Sequence, residues 1–283
     1  MKWIGNREST NVDDRRGMSG RGLAVGGGIG GLIIYLLYAL LTGSPIDPSQ
    51  TQIDPGSQTT ALSPQEQAAD EERAKFVKVV LAETEDVWHK IFAENGGEYR
   101  EPTLVLFRDV VQSSCGNASS ASGPFYCPMD SKVYIDLSFY QELQERFRVE
   151  GDFPMAYVLA HEVGHHVQNL MGTAEKMNRL REQVSESEAN RISVMMELQA
   201  DFYAGVWANR TQKMKNNLEE GDIEEALNAA NAIGDDRLQK QSTGYVVPDA
   251  FTHGTSAQRM YWFKKGYQTG DIKQGDTFNA KDL

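Results

Sequence analysis

At 283 residues the chain is long enough for one large domain or two small ones. Its 40 acids outnumber its 28 lysines and arginines, a formal charge of −12. Such a surface repels phosphate backbones, which argues against nucleic acid as a partner.

The charge is uneven. Five basic residues (Lys2, Arg7, Arg15, Arg16, Arg21) and three acids precede residue 43, so the remainder holds 23 basic against 37 acidic groups. Between them lies Leu23–Leu41, an uncharged run of 19 residues. As a helix it just crosses a hydrocarbon core of roughly 30 Å. Its five glycines would weaken a helix in water but are tolerated in a membrane. The long polar lead-in and the lack of a small-residue cleavage site favour an uncleaved signal-anchor over a cleaved signal peptide. Basic residues precede the run, and none follows before Arg73. The expected arrangement is therefore a cytoplasmic segment over 1–22, one transmembrane helix over 23–41 and an extracytoplasmic remainder. Residues 42–62, rich in Pro, Ser, Gln and Thr, read as a flexible linker to a domain over 63–283.

Ser63, Pro64 and Glu66 combine a capping box with proline at the first helical position, predicting a helix to about Glu94. His89 on it reads as an ordinary surface or packing residue. Residues 102–107 and 132–137 are short, β-branched and aromatic, hence strands. The second is a candidate sheet edge for holding an extended ligand. Cys115 and Cys127, too far apart for a CxxC motif, flank a Gly/Ser-rich loop. In an exported domain they read as a disulfide, worth about 3 kcal/mol in the chain-entropy picture. Helices are then expected from Ser138, after a cap at Asp152, across 174–215 with a break near 185–190, from a capping box at Asp222/Glu225, and from one at Thr255/Gln258. The fold class is α+β: one mostly helical domain with a small β-sheet.

The chemistry concentrates in "LAHEVGHHVQNLMG". His161-Glu162-Val163-Gly164-His165 is HExxH, which puts two imidazoles one turn apart on a helix face, within reach of a single ion. Glu162 points about 100° away, as suits a general base acting on water activated by the metal. Catalytic zinc takes three protein ligands and keeps a position open. The long HExxHxxGxxH motif is excluded, because Gln168 and Met171 occupy its glycine and last histidine positions. "MELQADFYAG" offers Glu197 as third ligand, with Asp201 one turn on to accept the outward N–H of a ligand histidine. His166, a third of the way round the helix from His165, is not expected to be a ligand. His253 suits hydrogen bonding to a developing oxyanion, and Arg259 is a second candidate for that charge. One Zn2+ ion is therefore expected on His161, His165 and Glu197.

The blocks "RESTNVDDRRG", "GPFYCP", "VYIDLSFY", "YVLAHEVGHHVQ", "MELQADFYAGVW" and "FTHGTSAQR" resemble the bacterial neutral zinc metallopeptidase family, close to the YpfJ-type membrane proteins. More distantly, the chain is similar to gluzincins that pair HExxH with a later ExxAD. There His161, His165 and Glu197 match the ligands, Glu162 the base and Asp201 the supporting acid. "THGTSAQR" resembles their THP…ER segment, with glycine in place of proline. The resemblance implies a zincin-like domain that hydrolyses polypeptides, anchored in the bacterial inner membrane with its catalytic domain in the periplasm. The alternative is a non-catalytic envelope protein whose zinc site is structural or a relic.

Overall fold

A computed structural model describes residues 1–17 and 62–280. The expected signal-anchor, 23–41, and all but the last residue of the expected linker lie outside them. Among the described residues, no helix is long and apolar enough to cross a membrane.

The strands are β1 (Val12–Asp14), β2 (Thr103–Phe107), β3 (Val110–Ser113), β4 (Gly116–Ser119), β5 (Phe125–Cys127) and β6 (Lys132–Asp136). Four of them form a sheet in the order β1-β2-β6-β5, with β5 antiparallel and the rest parallel; β3 and β4 make a separate hairpin. Alternation divides the sheet's two faces. Val12, Leu104, Leu106, Val133 and Ile135 face the main core, whereas Val105, Phe107, Tyr134 and Cys127 meet the hairpin in a smaller one. The residue 132–137 strand is thus interior, hydrogen-bonded on both sides, and cannot serve as an edge; β5 is the outer strand on that side. The Cys115–Cys127 disulfide ties β5 to the hairpin.

The helices are α1 (Pro64–Glu94), α2 (Phe139–Glu145), α3 (Phe153–Leu170), α4 (Thr173–Arg181), α5 (Glu186–Lys215), α6 (Asp222–Ala232), α7 (Asp235–Thr243) and α8 (Ser256–Thr269). The capping boxes at Ser63/Glu66 and Thr255/Gln258 form as expected. The cap at Asp152 and the capping box at Asp222/Glu225 do not. Asp152 makes no capping bond, and Asp222 lies inside its helix behind Gly221. Both carboxylates instead accept from the Met1 ammonium, at 3.0 and 3.2 Å.

That contact is part of a larger correction. Residues 1–17 are not a separate segment, because β1 extends the sheet beside β2 in the register Val12↔Leu104 to Asp14↔Leu106. The Leu104 and Arg15 amides close the ladder onto Asn11 and Leu106 carbonyls, at 2.9 and 2.7 Å. Charge patterning hid this strand: three residues, two of them Asp, give no hydrophobic alternation.

Helix α3 is buried on nearly every side, packed against α1, α5 and α6. A helix that is apolar all round belongs in a core, so its polar residues need partners there.

Candidate metal centre

Two helix pairings build the site. On α3, a Cβ added at Gly164 would fall 3.0–3.3 Å from Ala200 atoms, so the glycine lets α5 approach between Glu197 and Asp201. On α5 and α8, contacts advance by four residues on both helices: Asp201–Arg259, Gly205–Phe263, Asn209–Tyr267. The helices therefore run parallel. A Cβ on Gly205 would lie 2.0 Å from the Phe263 carbonyl oxygen, and one on Gly266 2.0 Å from that of Phe202. Backbone-to-backbone packing at this crossing fixes which residues meet one turn earlier.

His161 Nε2 lies 3.1 Å from Glu197 Oε2, and His165 Nε2 lies 3.3 Å from Glu197 Oε1. All three ligand atoms fall within 4.8 Å of one another. Ligands at about 2.0–2.2 Å round a tetrahedral zinc stand roughly 3.3–3.5 Å apart, so the spacing fits that ion. The charge fits as well. Glu162 and Asp201 are buried carboxylates, Glu197 is half-buried beside them, and the buried cation among them is Arg259. A surplus of two negative charges in a low-dielectric site calls for a dication. Burial disfavours a charged His161, but Asp201 and Glu197 outweigh it and its pKa is pushed up to about 10.

The outward nitrogens are held. Asp201 Oδ1 accepts from His161 Nδ1 at 2.8 Å, as the sequence predicts. Tyr157, one turn before His161, donates to the same oxygen at 2.6 Å. Gln168 Oε1 faces His165 Nδ1 at 2.9 Å, while its amide nitrogen donates to Met196 O and Gln199 Oε1. Each imidazole thus presents Nε2 inward. Tyr157 and Gln168 went unnoticed in the sequence. Tyr157 was detectable, since it continues the i, i+4 stripe of His161 and His165.

Arg259 requires a correction. The sequence offers it as a second candidate for the oxyanion's charge, an ion pair being the commoner job for arginine. Its guanidinium is instead 3% exposed and spans Asp201 through Nε (2.9 Å) and Nη2 (3.0 Å), with Nη2 also 3.2 Å from Tyr157 Oη. It lies behind His161, with its donors committed. Burial works against Asp201 ionising, yet Arg259 and His161 bring its pKa down to about 2.

Glu162 has no hydrogen-bond partner among the described residues, and burial raises its pKa. A carboxylate left without donors beside the ligand cluster is free to take a proton. His166 is not a ligand. It is buried, with Nε2 2.6 Å from Arg100 O and Nδ1 3.0 Å from Tyr126 Oη. Donating to the carbonyl makes it a neutral link between α3 and the sheet. His89 pairs with Glu101 at 2.5 Å on the surface.

His253 stands outside the ligand cluster but close enough for its charge to lower the Glu197 pKa. Its Nδ1 is 3.1 Å from Asp235 Oδ1, and Asp235 Oδ2 accepts the amides of Thr252, His253 and Gly254. The side chain is 42% exposed. Asp235, at the start of α7, carries no sequence motif that would have marked it.

From residue 1 to residue 278 the chain matches the family described as "Putative neutral zinc metallopeptidase". The chain belongs to this family. It is similar to "Uncharacterized protein YpfJ" of Escherichia coli K12, 49% identical across 98% of this chain and 99% of that one. It is also similar to "Uncharacterized protein Rv2575" of Mycobacterium tuberculosis, 47% identical over 65% of each. No solved structure matches.

Proposed function

We propose that this protein is a zinc peptidase that hydrolyses polypeptides through water activated between the ligand cluster and Glu162. The single observation carrying this reading is the coincidence at one place of three ligand atoms within 4.8 Å of one another and a buried glutamate with no hydrogen-bond partner among the described residues. When bound, the ion supplies a Lewis acid that acidifies water and polarises the scissile carbonyl.

The protein's residues do the rest. Glu162, its pKa raised by burial, takes the proton from water and hands it to the departing amine. His253, whose Nδ1–H is held by Asp235 and whose pKa that carboxylate raises against the effect of burial, donates from the protonated Nε2 to the developing oxyanion. Arg259 and Asp201 keep His161 in one tautomer and orientation. The open edge of β5, whose Tyr126 reaches α3 through His166 and Asn169, is where an extended polypeptide would add as a strand. The Cys115–Cys127 disulfide supports an extracytoplasmic catalytic domain.

The test is cleavage of a peptide library by the full-length protein in detergent, with and without chelator, beside Glu162→Gln. Zinc content should be unchanged in that variant, while turnover falls about 10²–10⁴-fold. Zinc-loaded wild type that cleaves nothing would favour the structural reading.

A further inference from the structure

We infer that residues 1–17 and 62–280 reside in the same compartment, although Leu23–Leu41 separates them in sequence. A run that crosses a bilayer once leaves its two flanks on opposite sides, and a β-ladder cannot form through hydrocarbon. Here the flanks share a sheet.

The body of the protein is built to receive the N-terminal segment. Glu85 on α1 is 4% exposed, and its partners are Arg7 (3.0 Å), Ser9 (2.5 Å) and Asn11 (2.9 Å). All come from that segment. Buried Glu83 accepts from Asn6 at 3.3 Å, besides Asn217 and Thr211. Arg16 joins Asp14 to Asp70 and Glu71 across the α1 face, at 2.7, 2.6 and 3.0 Å. Residues 1–17 supply these donors to Glu85 and pair an edge of β2 that would otherwise stand open, which is costly for a strand.

The same contacts engage three of the five basic residues behind the expectation of opposite sides. The orientation rule rests on a basic flank, but Arg7, Arg15 and Arg16 serve as counter-charges to Glu85, Asp86, Asp13, Asp14 and Asp70. They are spent within the fold. This inference is independent of the peptidase reading, since neither measurement below involves metal or turnover.

Ile4 and Met129 are 84% and 75% exposed, one in each flank, and both native cysteines are bonded to each other. A thiol introduced at either position is therefore the sole reactive one. Ile4→Cys and Met129→Cys, each in the full chain in intact spheroplasts, should react with a membrane-impermeant maleimide to the same extent. Labelling of one with protection of the other until lysis would overturn the inference. Amide exchange on the purified full chain tests the docking itself. The Arg15 N–H, which donates to Leu106, should exchange slowly. Exchange at the rate of a free peptide would equally defeat it.

Discussion

Two regions of this molecule are held by arginines on carboxylates, and they work differently. Behind the candidate metal centre, Arg259 and Asp201 are 3% and 0% exposed, and Asp201 also holds a third residue, His161. On the α1 face, Arg7 is 51% exposed and bridges Glu85 and Asp86 in partial contact with water. Breaking a buried pair leaves an uncompensated charge, whereas breaking an exposed one lets water replace the partner. The first region is rigid because each group depends on the others. The second gains its hold from many modest contacts together with a β-ladder.

The largest effect that sharpens this contrast is Arg259→Met, which strands Asp201. It should cost about 3–5 kcal/mol of stability in chemical denaturation. Adding Asp201→Asn should restore part of that loss, and a double variant no better than the single would break the comparison. Next is Gln168→Ala, which frees the His165 Nδ1. Metal affinity should weaken about 10–100-fold by competition with a chelating dye. Smaller again is Arg7→Ala, worth at most about 1 kcal/mol and fading as salt is raised. An effect as large as that of Arg259→Met would erase the distinction.

Acid should loosen the N-terminal face as well. Asp13 and Asp14 titrate below their ordinary values, chiefly through hydrogen bonds from Arg15 and Arg16, and Asp86 does so because Lys215 and Arg7 outweigh its burial. A depressed folded-state pKa contributes stability that is present above the unfolded value and lost as pH falls through the folded one. Docking should hold above about pH 4 and weaken progressively below it. Trp3, packed edge-on against Phe76 at 5.5 Å, reports this by fluorescence against a Trp3→Phe control. A signal flat to pH 2.5 would remove these carboxylates from the account.

Much of the fold was legible because its signals are local. The Ser63 and Thr255 caps, the β2 and β6 strands and the break between α4 and α5 all follow from patterns within a few residues. The illegible parts depend on distant partners. β1 is a strand only because β2 offers an edge some ninety residues away. β5 is three residues long and α7 has little apolar face, so neither shows a period. Asp235 became visible only once the 252–254 loop folded over it.

The chain's letters by themselves determined the donor set: His161 and His165 one turn apart, Glu162 between them, Glu197 and Asp201 one turn apart on a second helix. Helical geometry guarantees those spacings wherever the helices lie. Only the tertiary structure decided that Arg259 pairs with Asp201, that β5 and not β6 is an outer strand of the sheet among the described residues, and that the first seventeen residues belong to the folded body. Each depends on the register between elements far apart in the chain. Close contacts such as Gly205 on Phe263 set that register, and no local pattern encodes it.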